Sequence, residues 1–228
     1  MTAPDRRIEL PPFTGAQIAV LVGVPLAWAA LLWFHPDVDP DRVYEDLRDQ
    51  VDTYLVVHVG TLVFIGLMGV ALYLLLRGVP GRAATISRLA IGPFVLFYAA
   101  WETVIGLAIG VLVQHANDAP ARQRPAVADA IQAVGGNVII VDSGILLAVG
   151  ALAWITAAIA AAVALRGAGA PLVAVLLVGV SAVIVSHPPP IGPVGLVCFA
   201  AGAGVIAISR RASPGVVTAA RRSASAPG

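Results

Sequence analysis

Apolar residues dominate six long stretches of this chain, and nearly all of its charges fall between them. A helix needs about 20 apolar residues to cross roughly 30 Å of hydrocarbon, and the stretches are close to that length. The first runs from about Gln17 to Phe34, has Pro25 near its middle and is stopped by His35-Pro36. The second is the back half of a longer helix: Asp39 and Pro40 supply an N-cap and first turn, and nothing from Asp41 to Arg77 is a breaker. Its front, Asp41 to Asp52, sets Tyr44, Leu47 and Val51 on one face among acids, as in a helix lying at an interface, and Thr53 to Leu76 is the spanning part.

Gly78, Pro80 and Gly81 make a turn, and the third span follows from about Leu89 to Val113, with any bend expected at Gly92-Pro93. In the long loop His115 to Asn137, Pro125 can start a short helix whose Val127, Ala130, Ile131 and Val134 share a face, ended by Gly135-Gly136. The fourth span is about Val138 to Leu165, the fifth runs from Pro171 to Ser186, and the sixth from Ile191 to Ser209. The expected fold is all-α, a polytopic membrane helix bundle of about six transmembrane helices with both termini inside. Residues 1–16 form a cytoplasmic segment, 17–209 the membrane domain with outer loops 35–52 and 115–137, and 210–228 a disordered, Ser/Ala/Arg-rich cytoplasmic tail.

Composition sharpens this picture. Of 228 residues, 59% are hydrophobic and 12% charged, too apolar for a water-soluble globule. All fourteen basic residues are Arg, and the formal net charge is +1, so no basic field points to nucleic acid. With the N-terminus inside, ten arginines fall in inner segments and only Arg42, Arg48, Arg122 and Arg124 outside, the positive-inside pattern of a plasma membrane protein. The basic-then-apolar start resembles an export signal, but the run after Arg6 and Arg7 is too long and lacks a small-x-small site, so it reads as a retained helix. Cys198, the one cysteine, excludes an internal disulfide and thiolate metal clusters within one chain.

The stretch from His58 through Leu76-Arg77-Gly78, Gly81-Arg82-Ala83-Ala84, Ser87-Arg88 and Phe97-Tyr98-Ala99-Ala100-Trp101-Glu102 to Gly106 and Gly110, with His187-Pro188-Pro189 and Gly192-Pro193, resembles uncharacterised multi-pass membrane proteins of high-GC actinobacteria. The resemblance covers roughly half the chain and implies no activity, so it assigns no functional residue.

Candidate chemistry starts with Glu102, near the middle of the third span, with Tyr98 one turn before it and Gly106 and Gly110 one and two turns after. A carboxyl at that depth is costly and faces the bundle interior, as a proton donor, an ion or substrate contact, or a packing hydrogen bond. His58 and Asp142 lie at similar depths near the outer ends of spans two and four and can form a carboxylate-oriented imidazole, or act separately at the interface. Glu102, His58 and Asp142 are therefore the candidate catalytic residues, with Tyr98 and Trp101 walling a substrate pocket. His35, His58, His115 and His187 all fall on the outer side and are weak candidates for a metal or haem; no metal is expected from sequence, and no cofactor is identified. The Gly106/Gly110 pair signals close helix packing. No phosphate loop, zinc-protease helix, aspartate-rich prenyl-diphosphate motif or dinucleotide fingerprint occurs.

The first expectation is a small membrane enzyme with an outward-opening polar cavity, Glu102 as proton donor, acting on a lipid, isoprenoid or other apolar molecule. The alternatives are an accessory membrane protein without chemistry, a small transporter or channel coupled through Glu102, and a haem- or metal-binding membrane protein. Expected partners are membrane lipids and an apolar small molecule; a homo-oligomer is compatible with this composition.

Overall fold

The computed structural model describes residues 10–137 and 144–212, and all regular structure among them is helical. Among the described residues, five helices are long and apolar enough to cross a membrane: Gly15–Leu32 (α1), Val51–Leu75 (α3), Arg82–Asp118 (α4), Ile145–Gly167 (α6) and the last, Ile191–Ala212 (α8). Leu172–Val185 (α7) is apolar but shorter, nine α-helical residues followed by a five-residue 3-10 turn. Two short helices complete the order, Val43–Leu47 (α2) and Arg124–Gly135 (α5).

Local chemistry sets the ends. Thr14 caps α1 in a reciprocal box with Gln17, satisfying two N–H groups that have no partner inside the helix. At the far end of α3, two guanidinium groups take the orphan carbonyls: Arg88 donates to those of Leu76 and Val79, Arg210 to those of Leu75 and Arg77. Arg210 also lies over the Phe13 ring, 4.3 Å from its centroid. Helix α8 therefore runs past residue 209, and Arg210, expected in a disordered tail, is a buried capping residue. The rest of that expected tail, 213–228, lies outside the described residues.

The expected unbroken helix from Asp41 to Arg77 is interrupted between Leu47 and Val51. Leu47 and Val51 both turn into one small core, and Asn117 of α4 donates to the Arg48 carbonyl that a continuous helix would have used internally. That core, with Val43, Tyr54, Ile109, Val113 and Ile131, lets α2, α5 and the end of α4 form a cap on one end of the bundle. The helix expected around Pro125 is α5, and it buries Ile131 as its spacing predicts.

The larger core joins the spanning helices. Trp28 donates to Thr61 between α1 and α3, Ser87 to the Ala157 carbonyl between α4 and α6, and Trp154 to the Ser181 carbonyl between α6 and α7. Outward faces stay apolar, as with Val56, Val59, Val63 and Val70 along α3, which suits contact with lipid. Helix α4 is the irregular one. It widens into π-helical turns at Phe94–Tyr98, directly after Pro93, and again at Thr103–Ala108. Proline removes a ladder N–H, so the first widening sits where the bend was expected, and Tyr54 donates to the Ile105 carbonyl inside the second.

Candidate functional site

The two π-helical turns bracket the four residues Ala99–Glu102, which carry Trp101 and Glu102 on a buried face. Glu102 is fully buried, and it meets His58 of α3: the imidazole Nδ1 contacts Glu102 Oε1. The contact is possible because Gly106 lies one turn on. A Cβ there would collide with the His58 ring, and one at Gly110 would press on Tyr54 and Leu55. The small-residue face of α4 is thus the seat for a close crossing by α3, as its pattern indicates. Gly150 of α6 lies equally close to the Tyr98 backbone on another side.

Two more histidines reach the same place from segments outside the helices. His35 follows α1 and His187 follows α7, at the end of the bundle where α3 and α8 begin. His35 packs edge to face with His58 and with His187, ring centroids 5.0 Å apart in both pairs, and His58 and His187 are 5.9 Å apart. One ring nitrogen from each of the three lies within 4.8 Å of the others. His35 Nδ1 donates to the Pro36 carbonyl at 2.7 Å, and its Nε2 lies 3.3 Å from His187 Nε2. His187 Nδ1 is 3.3 Å from the Tyr98 hydroxyl, which is itself 3.2 Å from the Val185 carbonyl. His58 Nε2 and Glu102 Oε2 are buried without a hydrogen-bond partner. Burial pushes the His35 and His187 imidazoles down to about 4, so both rings are neutral near pH 7.

Aromatic rings wall the cluster. Tyr54 lies one turn before His58 on the same face of α3, and its ring centroid is 4.0 Å from that of His58. Trp101 stands edge-on to His187 at 5.5 Å and packs on Tyr98. An apolar groove of about 390 Å³ lies between α1 and α8, lined by Leu26, Ala30, Trp33, Val194 and Val197 among others. Trp33 is two residues from His35.

Of the residues singled out from sequence, the structure unites Glu102, His58, Tyr98, Trp101, His35 and His187. His115 stands apart, exposed near the end of α4. Asp142 lies outside the described residues, and the carboxylate that meets His58 is Glu102. Sequence reading missed Tyr54, whose signal was its one-turn spacing from His58. No protein-family model, curated protein or solved structure matches the chain.

Proposed function

We propose that this chain is a membrane-embedded metalloenzyme, in which His35, His58 and His187 hold a transition ion of the zinc class at the outward end of a six-span bundle in the plasma membrane. Its substrate is a lipid, isoprenoid or other apolar molecule. The observation that carries the reading is the convergence of three neutral-type ligands from three separate segments, with ring nitrogens within 4.8 Å of one another. Polar side chains buried in a bundle cost free energy unless they are paired, and packing alone gives no reason to collect three imidazoles and a carboxylate at one point.

Three imidazoles are a zinc-type donor set, and one of their pairs already has zinc-like spacing. Two imidazole nitrogens bound to one tetrahedral zinc lie about 3.3 Å apart, given Zn–N bonds of roughly 2.0 to 2.1 Å. His35 Nε2 and His187 Nε2 are separated by 3.3 Å. Three protein ligands leave a fourth position for water or substrate, which is the coordination count of catalytic rather than structural zinc sites. When bound, the ion supplies Lewis acidity and an activated water. Glu102 acts through His58 by holding its ring, as second-shell carboxylates do, so it is a positioning residue in this reading. Haem fits less well, because rings packed edge to face at 5.0 Å leave no slot for a porphyrin plane between two of them. The apolar groove between α1 and α8, which Trp33 helps to line, favours a substrate with a hydrocarbon part.

The test is zinc stoichiometry of the purified full chain after metal loading and desalting. About one ion per chain is expected. It should be lost in His58→Ala and His187→Ala, weakened in His35→Ala and kept in His115→Ala. Full zinc binding by the first two variants would sink the proposal.

A further inference from the structure

The hydrogen bonds around the three imidazoles differ in what they permit. The Pro36 carbonyl only accepts, so the bond from His35 places its proton on Nδ1 and leaves Nε2 as a bare lone pair. His58 meets Glu102 through Nδ1, and its buried Nε2 is without a partner. His187 is held differently. Its Nδ1 faces a hydroxyl, which can donate or accept, and that hydroxyl has a second acceptor in the Val185 carbonyl.

Two complete arrangements therefore exist for His187. In one, Nε2–H donates to the lone pair of His35 Nε2, and the Tyr98 hydroxyl donates to His187 Nδ1. In the other, His187 carries its proton on Nδ1 and donates to the Tyr98 oxygen, while Tyr98 turns its own proton to the Val185 carbonyl. The second arrangement brings the Nε2 lone pairs of His35 and His187 face to face at 3.3 Å. That is repulsive unless a cation is held there, and it leaves both Nε2 lone pairs free to hold one.

We propose that Tyr98 is a positioning residue that lets His187 change tautomer when a metal ion binds, keeping the His187 ring nitrogens and the Tyr98 hydroxyl paired in both states. This rests on the metal reading above. The carbonyl that holds His35 could not serve both tautomers. A tyrosine hydroxyl with an alternative acceptor can.

The experiment is long-range nitrogen–proton NMR on the full chain, labelled with 15N-histidine in lipid nanodiscs, before and after addition of zinc. Expected without metal are an Nδ1–H tautomer for His35 and an Nε2–H tautomer for His187. With zinc, both should be Nδ1–H. Tyr98→Phe should retain the metal-free pattern and bind zinc roughly 10- to 100-fold more weakly, the usual loss on removing an outer-shell partner. Tyr54→Phe, which removes a hydroxyl bonded to the Ile105 carbonyl rather than to a histidine, should change zinc affinity by less than about threefold. An Nδ1–H His187 in the metal-free protein, Nδ1 ligation by His187, or equal zinc affinity of the two tyrosine variants each overturns the role of Tyr98. Failure of the wild-type chain to bind zinc overturns the metal reading itself, and the metal-free spectrum is read independently of that outcome.

Discussion

Glu102 is the residue on which two readings divide. Its depth in α4 marks it from sequence as functional or as a packing bond, and the structure gives it His58 as a partner. If it positions His58, the hydrogen-bond acceptor matters more than the charge. Glu102→Gln, which keeps an acceptor oxygen of the same shape, is expected to lower zinc affinity by less than about tenfold, whereas Glu102→Leu leaves the imidazole N–H unpaired and should cost roughly 10- to 100-fold. Competition titration with a chromophoric chelator measures both. Equal losses in the two variants would show that charge, not orientation, is what the carboxylate supplies. Thermal unfolding in detergent provides the control, because a buried interhelical hydrogen bond in a membrane protein contributes only about 0.6 to 2 kcal/mol.

Among the elements, α4 decides the site. A straight α-helix from Arg82 to Asp118 would present its side chains in strict 3.6-residue order, and the two widened turns change that order on either side of Ala99–Glu102. The partner α3 can approach only because of glycine. Adding a methyl at Gly106 places it in the His58 ring, so Gly106→Ala should destabilise the fold by about 1 to 3 kcal/mol, the usual cost of overpacking, and should weaken zinc binding as well. Gly66→Ala on α3, where a Cβ meets nothing within 4 Å, is the matched control and should be neutral or slightly stabilising in thermal unfolding. Loss of stability in both variants alike would mean that the close crossing at Gly106 has no special cost.

For the whole molecule, the short helix α7 governs the topology. The start of α4 packs near the middle of α6 through Ser87 and Ala157, and Tyr98 meets Gly150, so α6 runs antiparallel to α4. Arg210 then ties the end of α8 to the end of α3, while His187, just before α8, sits with His58 near the start of α3. The chain between Gly167 and His187 must therefore travel most of the bundle's depth. Helix α7 does so with few residues, and its 3-10 turn stretches the rise to about 2.0 Å per residue. A short crossing leaves His187 sunk below the end of the bundle, where it joins the buried cluster. Six crossings is the topology we propose. Reporter fusions at Asp118 and Arg124 should score outside, and fusions at Gly81, Gly167 and the C-terminus inside; an outside C-terminus would show that α7 does not cross.

How much was legible beforehand follows from what kind of information each feature needs. The five long apolar helices and the cap helix α5 depend on local composition and period, since a helix in lipid must satisfy its own backbone and turn apolar groups outward; those were readable from stretches such as Gln17 to Phe34 and Thr53 to Leu76 and from the spacing around Ile131. The depth of Glu102 and the small face at Gly106 and Gly110 were readable for the same reason. The grouping of His35, His58 and His187, and the exclusion of His115, were not, because four histidines near helix ends look alike until the helices are placed around one another. The break before Val51 was equally hidden, since it depends on Asn117, far along the chain, taking the Arg48 carbonyl. Composition determined the solvent and the helices; only tertiary packing could bring nitrogens from three distant segments within reach of one ion.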